Sequence, residues 1–331
     1  MSKHVSQSQP DVVPRIDISA LLDGRMDTPR AHAVQQQMRA ACAEVGFMTV
    51  CGHGVAPERV LAAAAAARRF FALPSEDKLR VAPQRWNPDG PNVYRGYFPA
   101  SAAGKEGLDL GEPDLHDAAL LARPYHEANR VAETLGGLLG VDWWPAASAY
   151  FDALSDLAKL LMRHLVCALG GDADEVDRAF ARPASLSTLR FNFYPDREEP
   201  VERSRGDGAA LMCEEHVDSG LLTILYQDDR GGLQVKHRDG HWHDVAPDRD
   251  AFVVNTGLAL QQMTGRALVA TRHRVLHARG ARLSMPFFFE PVPDFAMAPQ
   301  SLRLPFEPPA TAQPYEAFLS ESLAKFSEYA R

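Results

Sequence analysis

Residues 216–235 read HVDSGLLTILYQDDRGGLQV. Leucine and β-branched residues, a turn-forming Asp-Asp-Arg-Gly-Gly and a second short apolar run read as two short strands parted by a turn. It opens on an imidazole and a carboxylate. Because residues i and i+2 of a strand point to the same face, His216 and Asp218 stand side by side and can reach one metal ion. Outward from this stretch the second half of the chain repeats the style. STLRFNFYP, HWHDVAP, AFVVNTG, ALVATRHRVL and RLSMPFFFEP are short apolar runs parted by Asp, Gly and Pro turns. Strands at this spacing predict a sandwich, barrel or jelly roll.

The first half is mostly helical in pattern. AHAVQQQMRAACAEVG (31–46) sets Val34, Met38, Ala41, Cys42 and Val45 on one face before Gly46 stops it. A second helix is expected at 57–73, with Pro57 early, and a long one at 146–169, where Leu154, Leu157, Leu161 and Leu165 form a stripe ended by Gly170-Gly171. Short strands are expected at VPRIDIS and FMTVCGHGV, an irregular loop at 82–114 around NVYRGYF, and a last helix within PYEAFLSESLAKFSEYAR. The expected class is mainly β with flanking helices (α+β), organised as an N-terminal region, 1–120, packed on a core of 121–331 in one compact unit.

Composition narrows the partners. The 331 residues are 46% hydrophobic and 24% charged with a net charge of −8, which argues against a nucleic-acid or anionic-membrane surface and for a small-molecule partner. Cys42, Cys51, Cys167 and Cys213 show no CxxC spacing, and MSKHVSQSQPDVV offers no apolar core for a signal peptide. The expectation is a reduced, cytoplasmic protein without a membrane span. Nothing in the pattern sets an oligomeric state.

The stretch TRHRVLHARGARLSMPFF brings His273 on a later strand and, past Gly280, Arg282 and Ser284, again two apart. Two imidazoles and one carboxylate on one face of an octahedral ion make the arrangement of non-haem Fe(II) oxygenases, with three positions left for a chelating 2-oxoacid and dioxygen. The planar guanidinium of Arg282 can hold the far carboxylate of 2-oxoglutarate bidentately while the Ser284 hydroxyl donates another bond. KHRDGHWHD, with His237, His241 and His243, reads as a hairpin turn and not as ligands to this iron. His53 and His277 read as structural or exposed.

These motifs resemble the isopenicillin N synthase-like branch of the Fe(II)/2-oxoglutarate-dependent dioxygenases. HVDSGLLTILYQDDRGGLQV is similar to its HxD strand and GLQV hairpin, HRVLHARGARLSMPFFFEP to its distal His and RxS strand, and VPRIDIS, ACAEVGFMTVCGHGV and RGYF to its opening elements. The resemblance implies a double-stranded β-helix (jelly-roll) core and an enzyme that oxidises a small organic metabolite with Fe(II), 2-oxoglutarate and O2, releasing succinate and CO2. Hydroxylation is the default, desaturation or cyclisation the variants, and ascorbate a candidate reductant. His216, Asp218 and His273 would hold the iron. Arg282, Ser284, Asn192 and Tyr194 of RFNFYP, with Arg190 adding positive charge, would hold the cosubstrate. Asn92, Tyr94, Met212, Phe287 and Phe289 are the candidates for the substrate wall. Where the family often has N-x-G-D this chain has NTGL, Asn255 to Leu258, which bears on contacts beside the site. The alternatives are a cosubstrate-independent iron oxidase of the same fold and a non-catalytic metal- or ligand-binding jelly roll.

Overall fold

The computed structural model describes residues 12–100, 104–200, 202–325 and 329. Its strands in chain order are β1 (Arg15–Asp17), β2 (Phe47–Cys51), β3 (Gly96–Phe98), β4 (Glu106–Leu110), β5 (Thr188–Tyr194), β6 (Glu202–Arg203), β7 (Ala210–His216), β8 (Leu222–Gln227), β9 (Leu233–Lys236), β10 (Trp242–Asp244), β11 (Ala251–Thr256), β12 (His273–Leu276) and β13 (Arg282–Phe289). They form an eight-stranded sheet, β1-β2-β11-β8-β13-β5-β4-β3, and a five-stranded sheet, β10-β9-β12-β7-β6. The helices are α1 (Pro29–Glu44), α2 (Pro57–Phe71), α3 (Ser75–Leu79), α4 (Ala118–Leu121), α5 (Val131–Leu139), α6 (Trp143–Ala168), α7 (Ala173–Ala179), α8 (Leu258–Met263) and α9 (Tyr315–Leu323). This is the expected α+β arrangement, with the jelly-roll core of the two sheets.

Local chemistry sets the ends of the elements that carry the fold. Thr28 caps α1 by accepting the Ala31 N–H at 3.0 Å, and Pro29 supplies a first residue whose missing N–H costs nothing there. Gly46 ends it with φ +73°, where a Cβ would lie 2.3 Å from the Val269 carbonyl oxygen. No other residue fits that bend without moving the backbone. The chain turns directly into β2, which pairs with β1 on one side and β11 on the other.

The long helix α6 buries Tyr150, Phe151, Leu154, Leu157, Leu161 and Leu165. It lies on the outer face of the large sheet, where Phe151 meets Phe287 edge-on at 5.1 Å. Phe289 stacks on Phe180 at 4.0 Å in the same layer. Truncating either phenylalanine of β13 to alanine would cost about 3–5 kcal/mol, because the layer is closed around it. A single apolar cluster runs from Ile16 and Met38 through Phe70 and Leu154 to Phe287 and Leu319, so the N-terminal elements share the core of the jelly roll. No helix among the described residues is long and apolar enough to cross a membrane.

Two expectations are corrected. The stretch 82–114 is not wholly irregular: β3 and β4 lie within it, and β4 pairs with β5 from Glu106↔Phe193 to Leu110↔Leu189. These short, glycine-containing strands are held by their long-range partner and carry little signal of their own. Between the runs AFVVNTG and ALVATRHRVL the chain makes the single helix turn and a half of α8, and β12 begins only at His273. The last helix ends at Leu323, and most of the remaining tail lies outside the described residues.

Candidate active site

His216 ends β7 and His273 begins β12; the two strands pair antiparallel with these residues directly opposite. Asp218 follows two residues after β7. Its Oδ1 lies 3.8 Å from His216 Nε2 and 3.6 Å from His273 Nε2, and one donor atom from each residue falls within 4.8 Å of the others. The ring backs are fixed as well. Nδ1 of His216 lies 2.8 Å from the Glu214 carbonyl and Nδ1 of His273 3.2 Å from that of Thr271. A carbonyl can only accept, so Nδ1 carries the hydrogen and Nε2 offers its lone pair to the shared centre.

Asp218 is buried and its other oxygen is doubly held, by the Thr223 hydroxyl at 2.7 Å and the Asn255 amide at 2.8 Å. Burial opposes its charge, but His273, His216 and these two donors hold it below the usual carboxylate range. Burial and the neighbouring His216 push His273 down to about 4, so it is neutral at physiological pH. For His216, burial disfavours the cation, yet Cys213, Asp218 and the Glu214 carbonyl outweigh it and raise the group. A neutral imidazole, a preset carboxylate and a second imidazole that gives up its proton to a cation form a fitting donor set for Fe(II).

Asn255 and Thr223 are the residues that sequence patterns alone do not single out. They become neighbours only because β11 and β8 pair with Asn255 opposite Thr223. The NTGL departure is also explained. The backbone N–H of Leu258 donates to the Asp218 carbonyl at 2.8 Å, a contact that needs no particular side chain. A Cβ on Gly257 would lie 2.1 Å from the Gly220 carbonyl oxygen, so that turn fits against the Asp218 loop only with glycine.

Beside the triad, Arg282 and Ser284 of β13 stand opposite Tyr194 and Asn192 of β5. The Arg282 guanidinium is buried over the Tyr194 ring at 5.1 Å, and its Nε donates to the Gly231 carbonyl at 2.8 Å. Its Nη1 and the Asn192 Oδ1 are both buried without a hydrogen-bond partner. Buried orphan polar atoms are rare because each costs about 1–3 kcal/mol. Both residues line a cavity of about 500 Å³ that the triad also lines; a carboxylate there would accept from Arg282 Nη1, while Asn192 Oδ1, an acceptor, calls for a donor group.

Along the same strands the cavity continues past the triad. Arg190, expected to lend charge to the cosubstrate end, is held in plane by Asp109 across β4, Nη2 to Oδ2 at 2.7 Å, with the Tyr329 hydroxyl joining the pair. Tyr94 lines this end as expected. Phe287 and Phe289 do not: they point into the α6 layer, and Pro286 and Phe288 take the wall instead. Strand alternation is the reason, since Arg282, Ser284, Pro286 and Phe288 share one face. Asn92 turns away and donates to the Arg95 carbonyl at 3.4 Å, and Met212 packs with Tyr194 and Val275 in a small apolar cluster next to the cavity. Glu290, just beyond β13, was not singled out by the sequence. It is 5% exposed, lines the cavity, and leaves Oε2 without a partner. Burial raises its carboxyl to about 8.

Comparison with known proteins agrees with this geometry. Residues 185–291 match the 2OG-Fe(II) oxygenase superfamily, and residues 13–146 match the N-terminal region described as non-haem dioxygenase in morphine synthesis. The chain is 31% identical over 283 residues to isopenicillin N synthase of Streptomyces clavuligerus, covering 83% of each chain. It is also 31% identical over 303 residues to a homoarginine-6-hydroxylase of Oryza sativa subsp. japonica, covering 87% of this chain and 88% of that one. Among solved structures, a full-length Neurospora crassa protein in complex with alpha-KG superposes with a TM-score of 0.76 at 26% identity, over 98% of this chain and 100% of that one. JOX2 in complex with 2OG, Fe and JA gives 0.70 at 26% identity, over 93% and 84%.

Proposed function

Since the chain belongs to the 2OG-Fe(II) oxygenase superfamily, we propose that His216, Asp218 and His273 hold its iron and that Arg282, Ser284, Asn192 and Tyr194 hold its 2-oxoglutarate. The protein is an Fe(II)- and 2-oxoglutarate-dependent oxygenase of a small organic metabolite. When bound, the iron, 2-oxoglutarate and O2 supply the oxidation, with succinate and CO2 released. The chain's own residues bind, orient and exclude water. Asn255 and Thr223 fix the Asp218 carboxylate, and the carbonyls of Glu214 and Thr271 fix the two ring orientations. Arg282, held over the Tyr194 ring, would supply a fork-shaped cation for the far carboxylate of the cosubstrate.

The observation that carries the cosubstrate assignment is the buried, orphaned donor Arg282 Nη1 in the lining of the cavity beside the triad, with Ser284 two residues on along the same strand face. The substrate end is the far wall of Tyr94, Phe288, Glu290 and the Arg190–Asp109 pair, to which Arg190 belongs in preference to the cosubstrate set. That wall mixes aromatic faces with a neutralised ion pair and one unpaired carboxyl, and it suits a modestly polar metabolite with a hydrogen-bonding group. The two regions 1–120 and 121–331 act as one folded unit, and the protein works in the cytoplasm. Succinate release with a metabolite panel tests the assignment. His216→Ala, Asp218→Ala and His273→Ala must each abolish it, and wild-type turnover in any of them overturns the ligand set.

A further inference from the structure

The hairpin joining β9 to β10 brings a second set of metal-binding side chains together at the edge of the small sheet. His237 Nδ1 lies 3.1 Å and His243 Nε2 3.4 Å from the same atom, Asp239 Oδ2. One donor atom from each of the three residues falls within 4.8 Å of the others. For bonds of about 2.0–2.1 Å, the edge of a tetrahedral zinc site is about 3.3 Å. The two measured separations bracket that value. The imidazole rings stand perpendicular, 88° apart with centroids at 5.7 Å, so neither stacks on the other and both edges turn toward the carboxylate. His237 Nδ1 is buried and faces Asp239 Oδ2, so both potential ligand atoms point to the same centre.

The turn that presents these groups is rigid. The His237 N–H donates to the His241 carbonyl at 2.9 Å, the His241 N–H donates to Asp239 Oδ1 at 2.8 Å, and Gly240 takes φ +86°. Asp239 Oδ1 is thereby used inside the turn while Oδ2 is left to the two rings. Arg238 ties the turn to the end of α1 by donating to the Glu44 carbonyl at 2.7 Å.

We propose that His237, Asp239 and His243 form a second divalent-metal site, separate from the iron site, that takes a borderline ion of the zinc class with water completing a tetrahedron. Two imidazoles and a carboxylate suit zinc, where calcium or magnesium would call for oxygen donors alone. The ion clamps β10 to β9 across the turn. Val235 of β9 pairs with His273, and the Lys236 N–H donates to the Arg272 carbonyl at 2.9 Å, so the clamp steadies the strand that carries one iron ligand. It also means that the chain takes up two divalent ions, of which only one sits where oxygen chemistry is done.

Zinc titration of the chelator-treated full chain, read by calorimetry and by equilibrium dialysis, tests this. Wild type is expected to bind two zinc ions per chain. His243→Gln and His216→Ala are each expected to bind one, and their combination none. Zinc is expected to raise the melting temperature of His216→Ala and to leave that of the combined variant unchanged. In Co(II)-loaded His216→Ala an intense tetrahedral absorption is expected, and it must vanish in the combined variant. His243 is a partly exposed hairpin residue, so His243→Gln is expected to melt like wild type in the absence of metal. One zinc per wild-type chain that His243→Gln retains, or two per His243→Gln chain, would overturn the second site. Neither result bears on the iron assignment, which His216→Ala reads separately.

Discussion

Replacing Asn255 with alanine removes one of the two donors that fix the Asp218 carboxylate and touches no metal-binding atom. The lost bond is 2.8 Å long, runs between buried groups and ends on an ionised oxygen. Bonds of that kind are worth about 1.5–3 kcal/mol. Thr223 still donates at 2.7 Å to the same oxygen, so the carboxylate keeps part of its orientation and the lower end of that range applies. About 1.5–2 kcal/mol corresponds to an Fe(II) dissociation constant about 10–30-fold weaker. The assay is anaerobic Fe(II) titration of Asn255→Ala against wild type, with the KM for 2-oxoglutarate measured at saturating iron as a control for general damage. That KM should stay within about twofold of wild type, because the Arg282 anchor is untouched. An unchanged iron affinity would show that Asn255 does not position the ligand, and an equal loss at the 2-oxoglutarate anchor would point to a misfolded pocket.

Three further outcomes follow from the same geometry. Arg282→Lys keeps the charge but loses the fork, and should raise the KM for 2-oxoglutarate by about tenfold or more with iron affinity unchanged, as steady-state kinetics would show. Glu290 has a folded-state pKa of about 8 against an ordinary 4.5, so its contribution to stability is fully present below about pH 4.5 and is lost as pH rises through 8. Denaturant titrations of the apo protein should therefore show stability falling over that window, by a few kcal/mol at most, and Glu290→Gln should flatten the fall. Asp109→Ala leaves the Arg190 guanidinium buried without its carboxylate and should destabilise the fold by about 3 kcal/mol in the same assay, whereas the partly exposed Arg130–Glu133 pair should give less than about 1 kcal/mol.

How much of this the sequence carries depends on the range of each contact. His216 and Asp218 are legible from their two-residue spacing, although His216 ends β7 and Asp218 follows it outside the strand, and Arg282 and Ser284 because they are two residues apart on one strand. His273 joins them through the order of the strands, which the family resemblance supplies. Thr223 and Asp109 are not legible, and Asn255 shows only as the start of NTGL, without its bond to Asp218. Each acts across a strand pairing, β11 with β8 or β4 with β5, whose register no local pattern states. Phe287 and Phe289 show a local rule misapplied, since the alternation that pairs Arg282 with Ser284 already puts Phe288 on the cavity side and its neighbours against Phe151 and Phe180. Glu290 was passed over because a carboxylate after an aromatic run reads as the polar end of a strand, and only the folded chain shows it buried. The strands β3 and β4 stayed hidden in a Gly- and Pro-containing stretch because the sheet edge they add to, and not their own residues, makes them strands.

The most direct test is an anaerobic titration of the apo protein with Fe(II) and 2-oxoglutarate, followed in the visible spectrum. A weak charge-transfer band should appear only when both are present, should be missing from Asp218→Ala, and should require more 2-oxoglutarate in Arg282→Lys. A band of wild-type strength in Asp218→Ala, or iron bound to the wild type without any band, would contradict the assignment of these residues to the iron and its cosubstrate.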